Sequence, residues 1–140
     1  MKELVKKVSE FHQKYGFSVD RPLVKDKDLL SLSHRLANDA KNVRQVTDAA
    51  VRVHLVLEEV SEMLMSLANG DRIALLDALA DLTYVVVGTA VTFGLPLAAA
   101  VEAVHVSNMS KTIERDRPGH PGKGGDYRPP DLACLLEEAR

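Results

Sequence analysis

Four carboxylates in the stretch LEEVSEMLMSLANGDRIALLDALADL (residues 57–82) stand in mirror positions. Glu62 and Asp77 are equidistant from the Asn69–Gly70 bond, and so are Glu58 and Asp81. If both arms are helices joined by a turn at Asn69-Gly70-Asp71, the hairpin brings Glu62 level with Asp77 and Glu58 level with Asp81. On each arm the pair is spaced i, i+4, which is one helical face. Four carboxylates converging inside an otherwise apolar hairpin repel one another and lose hydration unless a cation sits among them.

The elements that must position these groups follow from hydrophobic periodicity. From about Ala49 to Ala68, residues Val53, Leu57, Val60, Leu64 and Leu67 form one apolar stripe. A second row, Val51, Leu55, Glu58, Glu62 and Met65, is apolar except for its two glutamates. The alternative is a solvated acidic face of Glu58, Glu59 and Glu62, as most helical glutamates form. The following helix, Ile73 to about Phe93, is apolar almost all round, which predicts a central buried helix. Its only charges are Asp77 and Asp81. A helix N-terminus helps satisfy Asp77, in or near the first turn, but not Asp81 one turn further in. Asp81 is therefore the charge hardest to explain structurally.

The rest of the chain reads as further helices. Leu4, Val5, Val8, Phe11 and Tyr15 give a first amphipathic helix over residues 2–15, stopped by Gly16, and a loop follows to Lys27. A second helix runs from Asp28 to about Gln45, with a break near Val46-Thr47-Asp48 where Thr47 or Asp48 caps the next helix. One long continuous helix is the alternative. From Leu82 to Val101 no residue is charged, a length that could span a bilayer, but Gly94-Leu95-Pro96 interrupts it. Two buried helices meeting at a turn are expected there. The fifth helix runs from Pro96 to about Arg115 and carries a polar strip of His105, Asn108 and Lys111, in which Asn108 is either a satisfied structural residue or a ligand contact. Half of the residues from Arg115 to Pro130 are Pro or Gly, so this segment is irregular. Its glycines and Lys123 can wrap phosphates, with a plain surface loop as the alternative. A short helix over Asp131–Ala139 ends the chain.

These elements make one all-α domain over residues 1–140, a helical bundle of about five to six helices. Aromatic residues are only 4% of the chain while 46% is apolar, a balance that favours helices over a sandwich or barrel. The net charge of −2 gives no reason to expect a nucleic-acid polymer or an anionic membrane as partner. The single cysteine, Cys134, excludes an internal disulfide and a thiolate-rich zinc site, and is expected to be a small packing residue. The opening segment MKELVKKVSEFHQ carries charges throughout and does not read as a signal peptide, so a cytoplasmic location is expected.

LEEVSE (57–62) followed by DALADLTYV (77–85) resembles the all-α nucleotide pyrophosphatase superfamily. That group includes MazG-like enzymes, dimeric dUTPases and phosphoribosyl-ATP pyrophosphohydrolases. Its pattern is a Glu pair three apart, often with a further Glu before it, then a Glu and an Asp three apart on the next helix. Glu59 and Glu62 match the first pair, Glu58 is the extra Glu, and Asp81 matches the final Asp. The second-helix Glu falls at Ala78, a departure that leaves the neighbouring Asp77 as the replacement, with shorter reach and a different direction. Downstream, EAVHVSNMSK (102–111), the Gly/Lys loop and GDYRPPDL (125–132) are similar to a branch described as phosphoribosyl-ATP pyrophosphohydrolase-like. The resemblance runs from Val51 to the C-terminus and is less clear over Asp28 to Gln45.

The resemblance implies Mg²⁺-dependent hydrolysis of a (deoxy)nucleoside triphosphate to the monophosphate and pyrophosphate, in house-cleaning or control of the nucleotide pool, with Mn²⁺ as a substitute. It makes Glu59, Glu62 and Asp81 metal ligands; the mirror positions add Glu58 and Asp77. Glu58 and Glu59 point about 100° apart, so they serve different metals or one is the base for water. By the same resemblance Asn108 contacts the nucleotide, and Lys111 with Lys123 the phosphates. A hairpin this apolar is hard to cover with short companions, so a homodimer or homotetramer built as an oligomeric bundle is expected, as in the family. Two other functions fit the same residues: a non-catalytic helical module (metal-stabilised scaffold or nucleotide-binding regulator), or hydrolysis of phosphoribosyl-ATP in histidine synthesis.

Overall fold

A computed structural model describes residues 1–117 and 120–138, without the side chains of 115–117. Among these residues it forms six helices and one two-stranded antiparallel sheet, which bears out the all-α bundle. Contacts group the chain into two units, Pro22–Gly94 and Met1–Arg21 with Leu95–Arg140.

The first unit holds α2 (Leu29–Asn42), α3 (Asp48–Asn69) and α4 (Arg72–Thr92), with α3 packed against both neighbours. The break before α3 is real: Val43 leaves the helix in an extended conformation, and the Thr47 hydroxyl caps α3 by accepting from the Ala50 N–H at 3.1 Å. The hairpin turn is equally explicit. Gly70 closes α3 in the left-handed conformation (φ 67°), and a Cβ there would lie 2.8 Å from Lys25 Cγ, so both strain and crowding favour glycine. Asp71 then caps α4, its Oδ1 accepting from the N–H groups of Ile73 and Ala74, each at 3.0 Å. Small residues line the helix contacts. Ala40, Ala68, Ala78, Ser33, Ser61 and Ser66 are all buried, and the Ser33 hydroxyl donates to the Ser61 carbonyl at 2.8 Å.

α4 departs from expectation. Its composition predicts a buried central helix, yet only Ala78 and Ala90 on it are buried, while Ile73 (85%), Tyr84 (82%) and Val91 (76%) are largely exposed. Burial is set by what packs against a helix, and within this unit α4 packs chiefly against α3. It is long and apolar enough to cross a membrane by length and composition. Against a span, Asp77 and Asp81 lie inside it, and an Asp near the bilayer centre costs roughly 2.5–3.5 kcal/mol.

The second unit holds α1 (Lys2–Tyr15), α5 (Leu97–Met109), the strands β1 (Thr112–Arg117) and β2 (His120–Gly122), and α6 (Leu132–Glu138). α1 and α5 are tied by the Lys7–Glu102 ion pair and by Lys14, whose ammonium donates to the Met109 carbonyl. Buried Tyr15 places its hydroxyl 3.0 Å from the Asn108 carbonyl and 2.8 Å from that of Lys111. This anchor accounts for a second correction: α5 ends at Met109, not near Arg115. A continued helix would use the Asn108 carbonyl for the residue-112 N–H, whereas here the Tyr15 hydroxyl and the Lys111 N–H converge on it. The β-branched Thr112 and Ile113 then enter β1, which pairs with β2 in the register Thr112↔Gly122. The expected irregular segment is therefore partly strand; Pro118-Gly119 in it lie outside the described residues, as does Ala139 at the end of the last helix. Asp131 caps α6 by accepting from the Cys134 N–H, and Cys134 is exposed rather than packed.

Candidate active site

α3 carries Glu58, Glu59 and Glu62 and α4 carries Asp77 and Asp81, and the turn chemistry of Gly70 and Asp71 folds these five carboxylates into one neighbourhood. Its centre is Glu59. One carboxylate oxygen, Oε2, is buried without a hydrogen-bond partner. The Glu59 carboxyl is held above the usual carboxylate range, by burial first, then by the charges of Glu62, Asp81, Glu58 and Asp77. These five are the carboxylates singled out from the sequence, and the hairpin brings all of them within electrostatic reach of one group. They share a field without converging on a point: among the described residues no three His, Cys, Asp or Glu side chains are arranged to hold a metal ion.

The individual placements differ from the mirror picture. Glu62, Asp77 and Asp81 are exposed, and the Glu58 side chain is 43% exposed, so these four lie at the open edges of the hairpin rather than inside it. Glu59, which the mirror positions pass over, is the inward one. Ala78 is 2% exposed: the position where the superfamily pattern has a Glu faces the packed interior, while Asp77 stands outside it. The donor set suits a hard divalent cation, since its oxygens are carboxylate and the buried Oε2 is unsatisfied.

One neighbour was not foreseen. His54 lies one turn before Glu58 on α3, with Nε2 3.2 Å from Glu58 Oε2. Its Nδ1 lies 2.9 Å from the Ala40 carbonyl in the last turn of α2. The i, i+4 spacing of His54 and Glu58 was available in the sequence as a signal.

The remaining candidates belong to the other unit. Asn108 is the penultimate residue of α5 rather than a mid-helix residue, and lines a cavity of about 110 Å³ with His105 and Phe11. Lys111, just past the helix, lines a separate polar cavity of about 480 Å³ with Lys14, Glu114 and Asp126. Lys123 follows β2 and places its ammonium over the Tyr127 ring, 5.0 Å from the centroid. The structure thus gives these three residues three different settings.

Comparison with known families matches residues 30–108 to phosphoribosyl-ATP pyrophosphohydrolase. This span is more than half of the chain and contains every carboxylate of the hairpin. The chain belongs to the phosphoribosyl-ATP pyrophosphohydrolase family. That family is MazG-like and all-α, and the chain is accordingly a pyrophosphohydrolase acting on an acid anhydride. MazG-like pyrophosphohydrolases generally use a divalent metal. The family match reaches back through α2, further than the resemblance read from the motifs, and stops at Asn108, short of Lys111 and Lys123. No curated protein and no solved structure matches the chain.

Proposed function

We propose that this chain hydrolyses a nucleoside or deoxynucleoside triphosphate to the monophosphate and pyrophosphate, with Mg²⁺ as cofactor. The observation that carries the reading is Glu59: an unsatisfied buried carboxylate oxygen surrounded by four further carboxylates. Glu59, Glu62 and Asp81 would hold the cation, with Glu58 and Asp77 at the margins of the cluster. Bound Mg²⁺ supplies phosphate-charge neutralisation and a more acidic water. Without a cation, burial and like charge favour a proton on the Glu59 carboxyl. Glu58 points about 100° away from Glu59 around the helix, which suits it to take a proton from water on a different side of the cluster. Asn108 would contact the nucleotide, and Lys111 with Lys123 its phosphates; for Lys111 alone, the polar cavity that it lines supports the assignment.

The exposed apolar side chains of α4 support a homodimer or homotetramer in which a second copy covers them. The two aspartates within the helix favour that over a membrane, and the protein is taken to work in the cytoplasm.

Phosphoribosyl-ATP is the second substrate reading, favoured by the family match itself. One panel separates the two: pyrophosphate release from NTPs, dNTPs and phosphoribosyl-ATP with Mg²⁺ or Mn²⁺, comparing wild type with Glu62→Ala and Asp81→Ala. Turnover of NTPs or dNTPs that both substitutions abolish supports the proposal. Turnover of phosphoribosyl-ATP alone selects the second reading, and binding without turnover across the panel overturns both.

A further inference from the structure

Of the five carboxylates, Glu58 alone is held by another side chain among the described residues. The holder, His54, is itself fixed at both ends. Nδ1 lies 2.9 Å from the carbonyl of Ala40, a fully buried residue of α2, and Nε2 lies 3.2 Å from Glu58 Oε2. Only 15% of the His54 side chain is exposed. Both ring nitrogens therefore face an oxygen atom, one on α2 and one on the Glu58 carboxylate. The contact engages one oxygen of the Glu58 carboxylate, Oε2.

The geometry points to His54 as a positioning residue for Glu58. A Glu side chain has three rotatable bonds, and holding it still costs rotamer entropy. A half-exposed Glu58 with no partner would sample orientations away from the cluster, and ligand binding would have to gather it in. The imidazole, braced against the end of α2, removes much of that freedom beforehand. The path from Ala40 through His54 to Glu58 thus makes α2, which contributes no carboxylate to the cluster, a structural part of the site. This role is additional to the family's acidic motif and rests on the metal-site reading above.

The test measures Mn²⁺ binding by titration calorimetry without nucleotide, together with kcat and KM for pyrophosphate release, in wild type, His54→Ala and His54→Gln. The glutamine amide can donate from near the place of Nε2, so it restores the hold on Glu58 without restoring the ring. His54→Ala is expected to weaken Mn²⁺ binding about tenfold and to lower kcat more than it changes KM. His54→Gln is expected to recover most of both. In a Glu58→Gln background, His54→Ala should cause no further loss of Mn²⁺ affinity. Equal Mn²⁺ affinity in wild type and His54→Ala overturns the positioning role. So does an equal loss in the alanine and glutamine variants, or an undiminished effect in the Glu58→Gln background. A wild type that binds no Mn²⁺ overturns the metal-site reading itself, a result distinguishable from the others because it precedes any substitution.

Discussion

The unit of residues 22–94 and the unit formed by 1–21 with 95–140 place their chemistry in opposite ways. In the first, five carboxylates come from one continuous hairpin, and the residues that fix its turn, Gly70 and Asp71, are adjacent in sequence. In the second, the end of α5 and the position of Lys111 depend on Tyr15, 96 residues away from Lys111. The acidic cluster is thus a product of local chain geometry, whereas the candidate phosphate-handling residues are placed by a long-range anchor. Chemistry encoded locally is fixed by periodicity and caps; chemistry placed by distant contacts is fixed only when the whole unit has formed.

The largest effects are expected in the hairpin. Asp81→Ala or Glu62→Ala should lower kcat for pyrophosphate release by about 10²–10³-fold, the scale of losing a preorganised electrostatic group. Lys111→Ala should act mainly on KM, by roughly tenfold, as one charged contact is worth about 1.5–3 kcal/mol. Steady-state kinetics on the best nucleotide compares them directly. If Lys111→Ala depresses kcat as strongly as Asp81→Ala, the division between a reacting hairpin and a binding end is wrong.

Glu59 tests the hairpin from the stability side. Its carboxyl is raised by burial and by four like charges, so between its unfolded and folded values the folded protein binds more protons than the unfolded chain. That contribution to stability is fully present below the ordinary carboxylate range and is lost as pH rises through the raised value. Metal-free Tm should therefore fall across that window. Glu59→Gln should flatten the fall and raise Tm at neutral pH, while removing the stabilisation by Mn²⁺ that wild type should show. Scanning calorimetry with chelator and then with Mn²⁺ checks both; a Glu59→Gln variant less stable than wild type at neutral pH contradicts the assigned repulsion.

The sequence reveals the hairpin's connectivity but not its exposure. Asn69-Gly70-Asp71 and Thr47 announce turn and caps through their own side-chain chemistry, and the helix boundaries follow closely. Which of Glu58, Glu59 and Glu62 faces inward depends on the angle at which α3 meets its neighbours, so mirror spacing selected the edge residues and passed over Glu59. The apolar composition of α4 is real, but composition cannot say whether a covering surface comes from the same chain. α5 is shorter than its helical pattern predicts because propensity does not register that Tyr15 engages the Asn108 and Lys111 carbonyls. His54 had the right spacing from Glu58, yet its brace, the Ala40 carbonyl, belongs to another helix.

Smaller effects test the local and long-range anchors as a pair. Asp71→Ala removes a cap serving two N–H groups and should cost about 1 kcal/mol. Tyr15→Phe should cost a similar ~1 kcal/mol for the lost hydroxyl contacts. Their consequences should diverge: Tyr15→Phe frees the Lys111 region and raises KM, whereas Asp71→Ala, by loosening the turn between the acidic arms, lowers Mn²⁺ affinity. Chemical denaturation gives the first quantities; kinetics and metal titration give the second. The same KM change in both variants would show that the anchors do not act separately.

The smallest effect concerns Cys134 on α6. Its thiol is exposed, yet it lies 3.5 Å from Glu138 Oε1, and that hydrogen bond, followed by the Glu138 charge, raises the thiol above its usual range. The thiolate is the reactive form, so alkylation near pH 8 should be slow for an exposed cysteine. Glu138→Gln removes the charge and should speed alkylation a few-fold, with pyrophosphate release and Mn²⁺ affinity unchanged. The comparison turns on place: a charge change on the hairpin alters metal binding and turnover, whereas one on α6 should register only at its own thiol. An Mn²⁺ affinity that shifts with Glu138→Gln would mean that α6 takes part in the site, and that the acidic chemistry is not confined to residues 22–94.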